Sequence, residues 1–268
     1  MNRGALLREM GLAPLWRLRA RDVDEDAAQP ATGEAMQNQA PAAVVSQSLP
    51  SIPLAEKQAD APANAASALP DDRAAVIAGL GWEALEQAIH TCTACRLCAQ
   101  RRQAVPGVGD RQAGWMFVGE APGAEEDRRG EPFVGQAGKL LDAMLGAIGL
   151  HRGEGVYIAN AVKCRPPHNR TPEADEIAAC LPFLQRQIAL VKPRVLVALG
   201  RPSAQALLGA EVRISAERVK THTHSGVPVI VTYHPAYLLR NPVDKGKVWE
   251  DLCHARATFE RAKPPEAG

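Results

Sequence analysis

Four short apolar runs, Trp115 to Val118, Val156 to Val162, Val195 to Leu199 and Val227 to Thr232, each lead toward a stretch of helical periodicity. A strand apolar at nearly every position has no face to give to water, so it must lie in a sheet covered on both sides. Strands alternating with helices are joined by crossovers, which makes successive strands parallel. The helices are expected around Gln136 to Ile148, from a cap at Thr171-Pro172 onward, over Pro202 to Leu208 and over Lys245 to Arg261. The fold class is therefore α/β. In such open sheets ligands bind beyond the carboxyl ends of the strands, which singles out Glu120, Asn160 with its successors, Gly200 and His234.

The first third of the chain lacks the means to build a core. No Phe, Trp or Tyr occurs between Arg17 and Gly81, and Asp24 to Asp72 is crowded with Ala, Pro, Gln, Ser and acidic residues. Residues 22–78 are expected to be a disordered acidic linker, and residues 79–262 the single catalytic domain. Ahead of the linker, residues 1–21 form a short amphipathic segment: Leu6, Leu7 and Met10 recur at helical spacing, Gly11 is a stop, and Leu15, Trp16 and Leu18 follow. It either folds back on the core or docks on an unidentified protein partner. Residues 1–91 hold 7 Lys/Arg and 12 Asp/Glu, and residues 92–268 hold 24 and 18. A modestly basic core on an acidic tether suits a polyanionic partner. No apolar stretch reaches the ~18 residues of a membrane span, and residues 1–21 lack the apolar block of a secretory signal. A monomer of the bacterial cytoplasm is expected, with an organellar transit peptide as the alternative reading of Arg3, Arg8, Arg17, Arg19 and Arg21.

Trp82, Leu85 and Ile89 mark a helix that delivers Cys92 and Cys95 at its end. With Cys164 and Cys180 these could form a four-thiolate cage, for which zinc and an iron–sulfur cluster are equally suitable by chemistry alone; the plain alternative makes Cys164 and Cys180 buried apolar residues. Gly119-Glu-Ala-Pro-Gly123 is a tight turn after a strand, without the lysine of a phosphate-binding loop. Gly130-Glu-Pro-Phe133-Val-Gly135 sets an aromatic ring in a loop, as packing or as a platform for a base. His234-Pro-Ala-Tyr-Leu-Leu-Arg240 puts an imidazole at a strand end, followed by an apolar pair that could wedge into a duplex.

Together these residues resemble the family 4 uracil-DNA glycosylases. The resemblance runs from Trp82 to Glu260 and rests on Cys92-Thr-Ala-Cys95-Arg-Leu, the 119–123 turn with Glu125-Glu126-Asp127, the 130–135 loop, Asn160 to Arg170, Cys180, and His234 to Leu239. It implies a three-layer sandwich around a central four-stranded parallel sheet, and a structural 4Fe–4S cluster on Cys92, Cys95, Cys164 and Cys180, leaving Cys98 and Cys253 as free thiols. The cluster would hold Arg96, Arg165 and Arg170 for phosphate contacts.

The activity so implied is hydrolysis of the glycosidic bond of deoxyuridine in single- or double-stranded DNA. Leu238 and Leu239, flanked by Arg240, are the expected wedge. The flipped uracil would stack on Phe133 and be read by the Asn160 amide, His234 would stabilise the departing oxyanion, and the turn containing Gly119, Glu120 and Ala121 would line the base. Ala121 stands where the best-known branch of the superfamily has aspartate, so Glu120 or Glu126 is expected to orient the water, or Glu126 to crowd the C5 position and exclude thymine. No lysine in these motifs is placed to form an imine. The rival expectation is a uracil-DNA sensor without turnover, with His168 as a conceivable attachment point.

Overall fold

The computed structural model describes residues 70–262; the 1–21 segment and residues 22–69 of the expected linker lie outside the described residues. The linker's last nine residues are not irregular. Pro70–Ala78 forms a helix (α1), because Ile77 is buried and Arg73 reaches the Ala179 carbonyl at 2.8 Å and lies 4.9 Å from the Phe183 ring centroid. These are tertiary contacts that Ala/Pro-rich composition does not reveal, and they carry ordered structure nine residues ahead of the expected boundary at 79. Trp82–His90 (α2) follows, with Leu85 and Ile89 buried as their spacing requires.

The sheet has six strands in the order β1-β3-β2-β4-β6-β5: β1 Val108–Gly109, β2 Trp115–Gly119, β3 Val156–Asn160, β4 Val195–Leu199, β5 Thr221–His224 and β6 Val227–Thr232. The four apolar runs are the parallel centre, β3-β2-β4-β6. The antiparallel edges, β1 on β3 and β5 on β6, are additions to the expected sheet. Neither carried an apolar signal: β1 has two residues, and β5 reads Thr-His-Thr-His with no buried position.

Every residue of β2, β3 and β4 is buried, and alternate side chains serve opposite faces. Met116, Val118, Leu196 and Ala198 face Leu184 and Ile188 of α5 (Ala174–Val191) and Ala204 and Leu207 of α6 (Arg201–Leu208). Phe117, Ile158, Val195 and Val197 face Leu141 and Leu145 of α4 (Gln136–Ala147) and Val248 and Leu252 of α9 (Lys245–Arg261). Two faces covered by helices make three layers, as the continuous apolar strands demand. Three shorter helices, α3 (Ala124–Arg129), α7 (Ile214–Glu217) and α8 (Pro235–Arg240), complete the described part. No described helix is long and apolar enough to cross a membrane.

Helix α5 starts two residues beyond the expected Thr171-Pro172 cap. Its N-cap is Glu173, whose backbone N–H donates to Glu176 Oε2 at 2.8 Å in a reciprocal capping box. The Glu176 carboxylate is fully buried and also takes two bonds from Arg170, at 2.8 and 2.6 Å, and one from Arg96 at 3.0 Å. Arg170 foremost, with the Glu173 N–H and Arg96, holds its pKa down at about 2. A depressed carboxylate pKa gives stability that is complete above the ordinary value of 4.5 and is lost as pH falls toward about 2. Glu176→Gln should therefore cost about 2 kcal/mol at neutral pH, less than a fully buried pair because both arginines reach solvent. In acid the variant and the native chain should converge, which denaturant melts at neutral and acidic pH will show.

Candidate active site

The carboxyl ends of β2, β3, β4 and β6 open into one cavity of about 610 Å³, lined among others by Glu120, Phe133, Asn160, Arg201 and His234. Parallel register places Gly119 opposite Asn160. The pairing continues past the strand ends, with Ala161 N–H bonded to the Gly119 carbonyl at 2.9 Å and Val162 N–H to the Glu120 carbonyl at 3.0 Å. Asn160 is buried, and its hydrogen bonds among the described residues run through its backbone, leaving the carboxamide to the cavity it lines.

Gly119 is required by contact. A Cβ there would stand 2.4 Å from Asn160 Oδ1 and 2.6 Å from the Phe133 ring. Phe133 in turn stacks on His234, ring centroids 5.6 Å apart. One aromatic ring thus touches the neighbourhood of both polar groups, and the expected convergence of Asn160, Phe133 and His234 is met.

Phe133 takes a left-handed backbone, φ 55°, which costs an ordinary residue about 1 kcal/mol or more. Three groups enforce it. Glu126 accepts from Val134 N–H at 2.9 Å and Gly135 N–H at 3.1 Å with one oxygen, and from Gly123 N–H at 3.1 Å with the other. Arg152, braced on Asp142, donates to the carbonyls of Pro132 and Phe133 at 2.9 and 2.8 Å. Gly138 admits the Phe133 carbonyl so closely that a Cβ would come within 1.7 Å of it. Glu126, which also lines the cavity, spends most of its carboxylate on these three backbone donors and ties the 119–123 turn to the Phe133 loop. Arg152, Asp142 and Gly138 were missed; a glycine inside a helical pattern was the one available sign.

His234 is the N-cap of α8, and its Nδ1 accepts from Ala236 N–H at 3.1 Å. The ring proton therefore sits on Nε2. Burial, with Arg240 adding to it, pushes the imidazole pKa down to about 4, so the ring is a neutral donor at physiological pH. Beneath it, Asp251 accepts from Thr232 Oγ1 at 2.6 Å and Arg218 Nε at 3.0 Å, pinning the end of β6. Glu120 is half-buried, and that burial raises its carboxyl pKa, with Thr171 and Arg201 acting in the opposite direction.

The wedge expectation divides. Leu239 is 47% exposed, but Leu238 is 1% exposed. One turn of α8 directs Leu238 inward to the core of Val248 and Leu252, so it is not a wedge. Arg240 lines the cavity mouth with Arg201, and neither meets a carboxylate among the described residues. Arg96 and Arg170 are corrected too: both are committed to Glu173 and Glu176. Arg165 keeps only a 2.7 Å bond to Asn169. His168 is exposed and does not line the cavity.

Behind β3, Cys92, Cys95, Cys164 and Cys180 line a second, small cavity together with Cys98, while Cys253 is exposed. The sulfurs receive donors: Arg101 to Cys164 at 2.9 Å, Lys163 N–H to Cys180 at 3.3 Å, and Arg73 to Cys92 at 3.6 Å. Burial raises the thiol pKa of Cys95 and Cys164 and pushes Cys180 up to about 12, so a group taking these three as thiolates must supply positive charge of its own. Among the described residues no three His, Cys, Asp or Glu side chains converge as a single ion requires. The cysteines around this cavity are a donor set that suits a thiolate-bound zinc or iron–sulfur centre.

Residues 106–253 match the sequence model of the uracil DNA glycosylase superfamily. A Type-4 uracil-DNA glycosylase of Pyrobaculum aerophilum is 47% identical over 178 residues, covering 63% of this chain and 90% of that protein. A Type-4 uracil-DNA glycosylase of Thermotoga maritima is 42% identical over 184 residues, covering 67% and 95%. A Type-5 uracil-DNA glycosylase of Thermus thermophilus is 34% identical over 188 residues, covering 56% and 85%.

Two glycines of α4 provide a matched test of the Phe133 loop. Gly146 has open space around its missing Cβ, whereas Gly138 does not. Gly146→Ala should stabilise by about 0.5–1 kcal/mol, as helix-interior alanine does. Gly138→Ala should lower the thermal midpoint by several degrees, a cost of roughly 2 kcal/mol. Calorimetry on both variants checks this.

Proposed function

The chain belongs to the uracil-DNA glycosylase superfamily, and from that membership and its cavity we propose that it is a monofunctional uracil-DNA glycosylase, hydrolysing the glycosidic bond of deoxyuridine and leaving an abasic site for base excision repair. The observation that carries this is the grouping of Asn160, Phe133 and His234 around one cavity at the strand ends. A base within a duplex is unreachable, so the nucleotide is turned out at a cost of a few kcal/mol, less in single strands and mismatches. Leu239 fills the gap, and Arg201, Arg240 and Arg165 take phosphates.

The everted uracil stacks on Phe133 and presents its edge to the Asn160 carboxamide. Cytosine offers a donor where uracil has an acceptor, and the buried mismatch rejects it by something like ~10⁴-fold. As the bond breaks, negative charge gathers on uracil and positive charge on the sugar. His234 Nε2–H meets the developing oxyanion, and its neutrality matters: a donor that keeps its proton strengthens as charge develops. Glu120 orients the attacking water, its carboxylate made a better proton acceptor by burial, which raises its pKa. Cys92, Cys95, Cys164 and Cys180 would hold a 4Fe–4S cluster, which when bound cross-links the segment before β1 to the loop after β3 and takes no part in bond cleavage. The enzyme is proposed to act as a monomer at the nucleoid of a bacterial cytoplasm. The sensor reading has no support from His168, which is exposed and not among the residues lining the cavity.

Incubation with uracil-bearing oligonucleotides, single-stranded or paired with G or A, should yield free uracil over many turnovers and strand breaks only after alkali. A protein–DNA adduct surviving denaturing electrophoresis, without released uracil, defeats the enzyme reading. His234→Ala should lose about a hundredfold in kcat, the ~3 kcal/mol of one such donor. Because His234 is depressed to about 4, log kcat should show no inflection near the ordinary histidine value. Instead the rate should fall in acid as Glu120 protonates, above the ordinary glutamate value, and Glu120→Gln should be slow and flat across that range.

A further inference from the structure

Lys163 is 1% exposed and takes no part in the chemistry described above. Its ammonium donates to the Asn160 carbonyl at 2.7 Å and to Gln187 Oε1 at 2.5 Å, both neutral acceptors. Among the described residues these two are its acceptors and no carboxylate pairs with it. A fully buried cation without an anion is among the costliest arrangements in a protein interior. The groups around it that become anionic when they ligate a metal centre are sulfurs: Cys164 follows it in the chain, its own backbone N–H donates to Cys180 Sγ at 3.3 Å, and it lines the same cavity as Cys92, Cys95, Cys98, Cys164 and Cys180. Two uncompensated features therefore balance each other. Arg101 on Cys164 and Arg73 on Cys92 repeat the pattern nearer the surface, with carbonyls as their remaining acceptors.

The lysine is also mechanically fixed. Val105 N–H donates to the Lys163 carbonyl at 2.8 Å, and Gln187 passes the tether on to the Pro106 carbonyl at 2.8 Å and the Tyr157 hydroxyl at 3.3 Å. The ammonium thus bends back three residues and holds the carbonyl of the residue whose carboxamide faces the cavity. We propose that Lys163 is a positioning residue with two ends: the internal counter-ion of the thiolate cage, and the strut that sets Asn160 for reading the base. The proposal rests on the glycosylase reading and ties the cysteine cavity to the base site through one side chain.

The test compares wild type, Lys163→Met and Gln187→Met as purified, iron-loaded full chains. Cluster lifetime is followed by loss of visible absorbance against an iron chelator, and kcat and KM are measured on a single-stranded uracil oligonucleotide. Lys163→Met should lose its cluster about tenfold faster or more, and at matched iron content should lose about tenfold in kcat with KM within a factor of about two, as removal of a supporting partner does. Gln187→Met keeps the charge and releases the strut: its cluster should last as in wild type while kcat falls by about threefold. A Lys163→Met protein with lowered thermal midpoint but native cluster lifetime and kcat makes the lysine mere packing and overturns the proposal. Should Lys163→Met fail to fold, native kcat in Gln187→Met overturns the strut. Wild type without iron or uracil release refutes the functional reading itself; native behaviour of both variants refutes only the role of Lys163.

Discussion

The site depends on a gap one methyl group wide. Where β2 and β3 end side by side, Gly119 leaves out the Cβ that would strike both the Asn160 carboxamide and the Phe133 ring. Into that space fits an aromatic side chain whose backbone is held in an unfavourable left-handed conformation. The other contacts around the cavity follow from this meeting: His234 stacks against the same ring, and the turn after β2 and the loop bearing Phe133 must stay together.

Beside the burial of Phe133 in the apolar core, hydrogen bonding to backbone holds them together. Glu126 gathers three N–H groups from two loops, and Arg152 takes two carbonyls on the other side. Each group in a loop at a strand end would otherwise have faced solvent or gone unpaired, so one charged side chain satisfies several at once. The same economy recurs around Glu176, which joins Arg96, Arg170 and the α5 cap. Charged residues that look like DNA contacts or acid–base groups in the sequence thus become the rivets of the loops. Among the described residues the Asn160 carboxamide and His234 Nε2 carry no such bonds, while Glu120 is influenced by Thr171 and Arg201.

The legible parts of the fold were those with a local physical signature. Continuous apolar runs cannot tolerate water, so the four parallel strands and their two helical layers could be read directly, as could Leu85 and Ile89 on one helical face. The edge strands Val108–Gly109 and Thr221–His224 could not, because an edge owes its order to a neighbour's hydrogen bonds rather than to its own side chains. Pro70–Ala78 was hidden for a related reason: its order comes from Arg73 and Ile77 meeting α5, a partner about a hundred residues away.

The sequence by itself determined which chemistry is available: an amide, an imidazole and an aromatic ring at strand ends, four cysteines, and an apolar core to hold them, since residue type and periodicity are properties of the chain alone. Tertiary structure decided which of several equivalent candidates is free to act. Leu239 rather than Leu238 meets solvent because a helical turn sends neighbouring side chains in different directions, and Glu126 rather than Glu120 is tied to three backbone N–H groups because those partners come from separate loops. Availability is a matter of who else is nearby, and only the folded chain answers that.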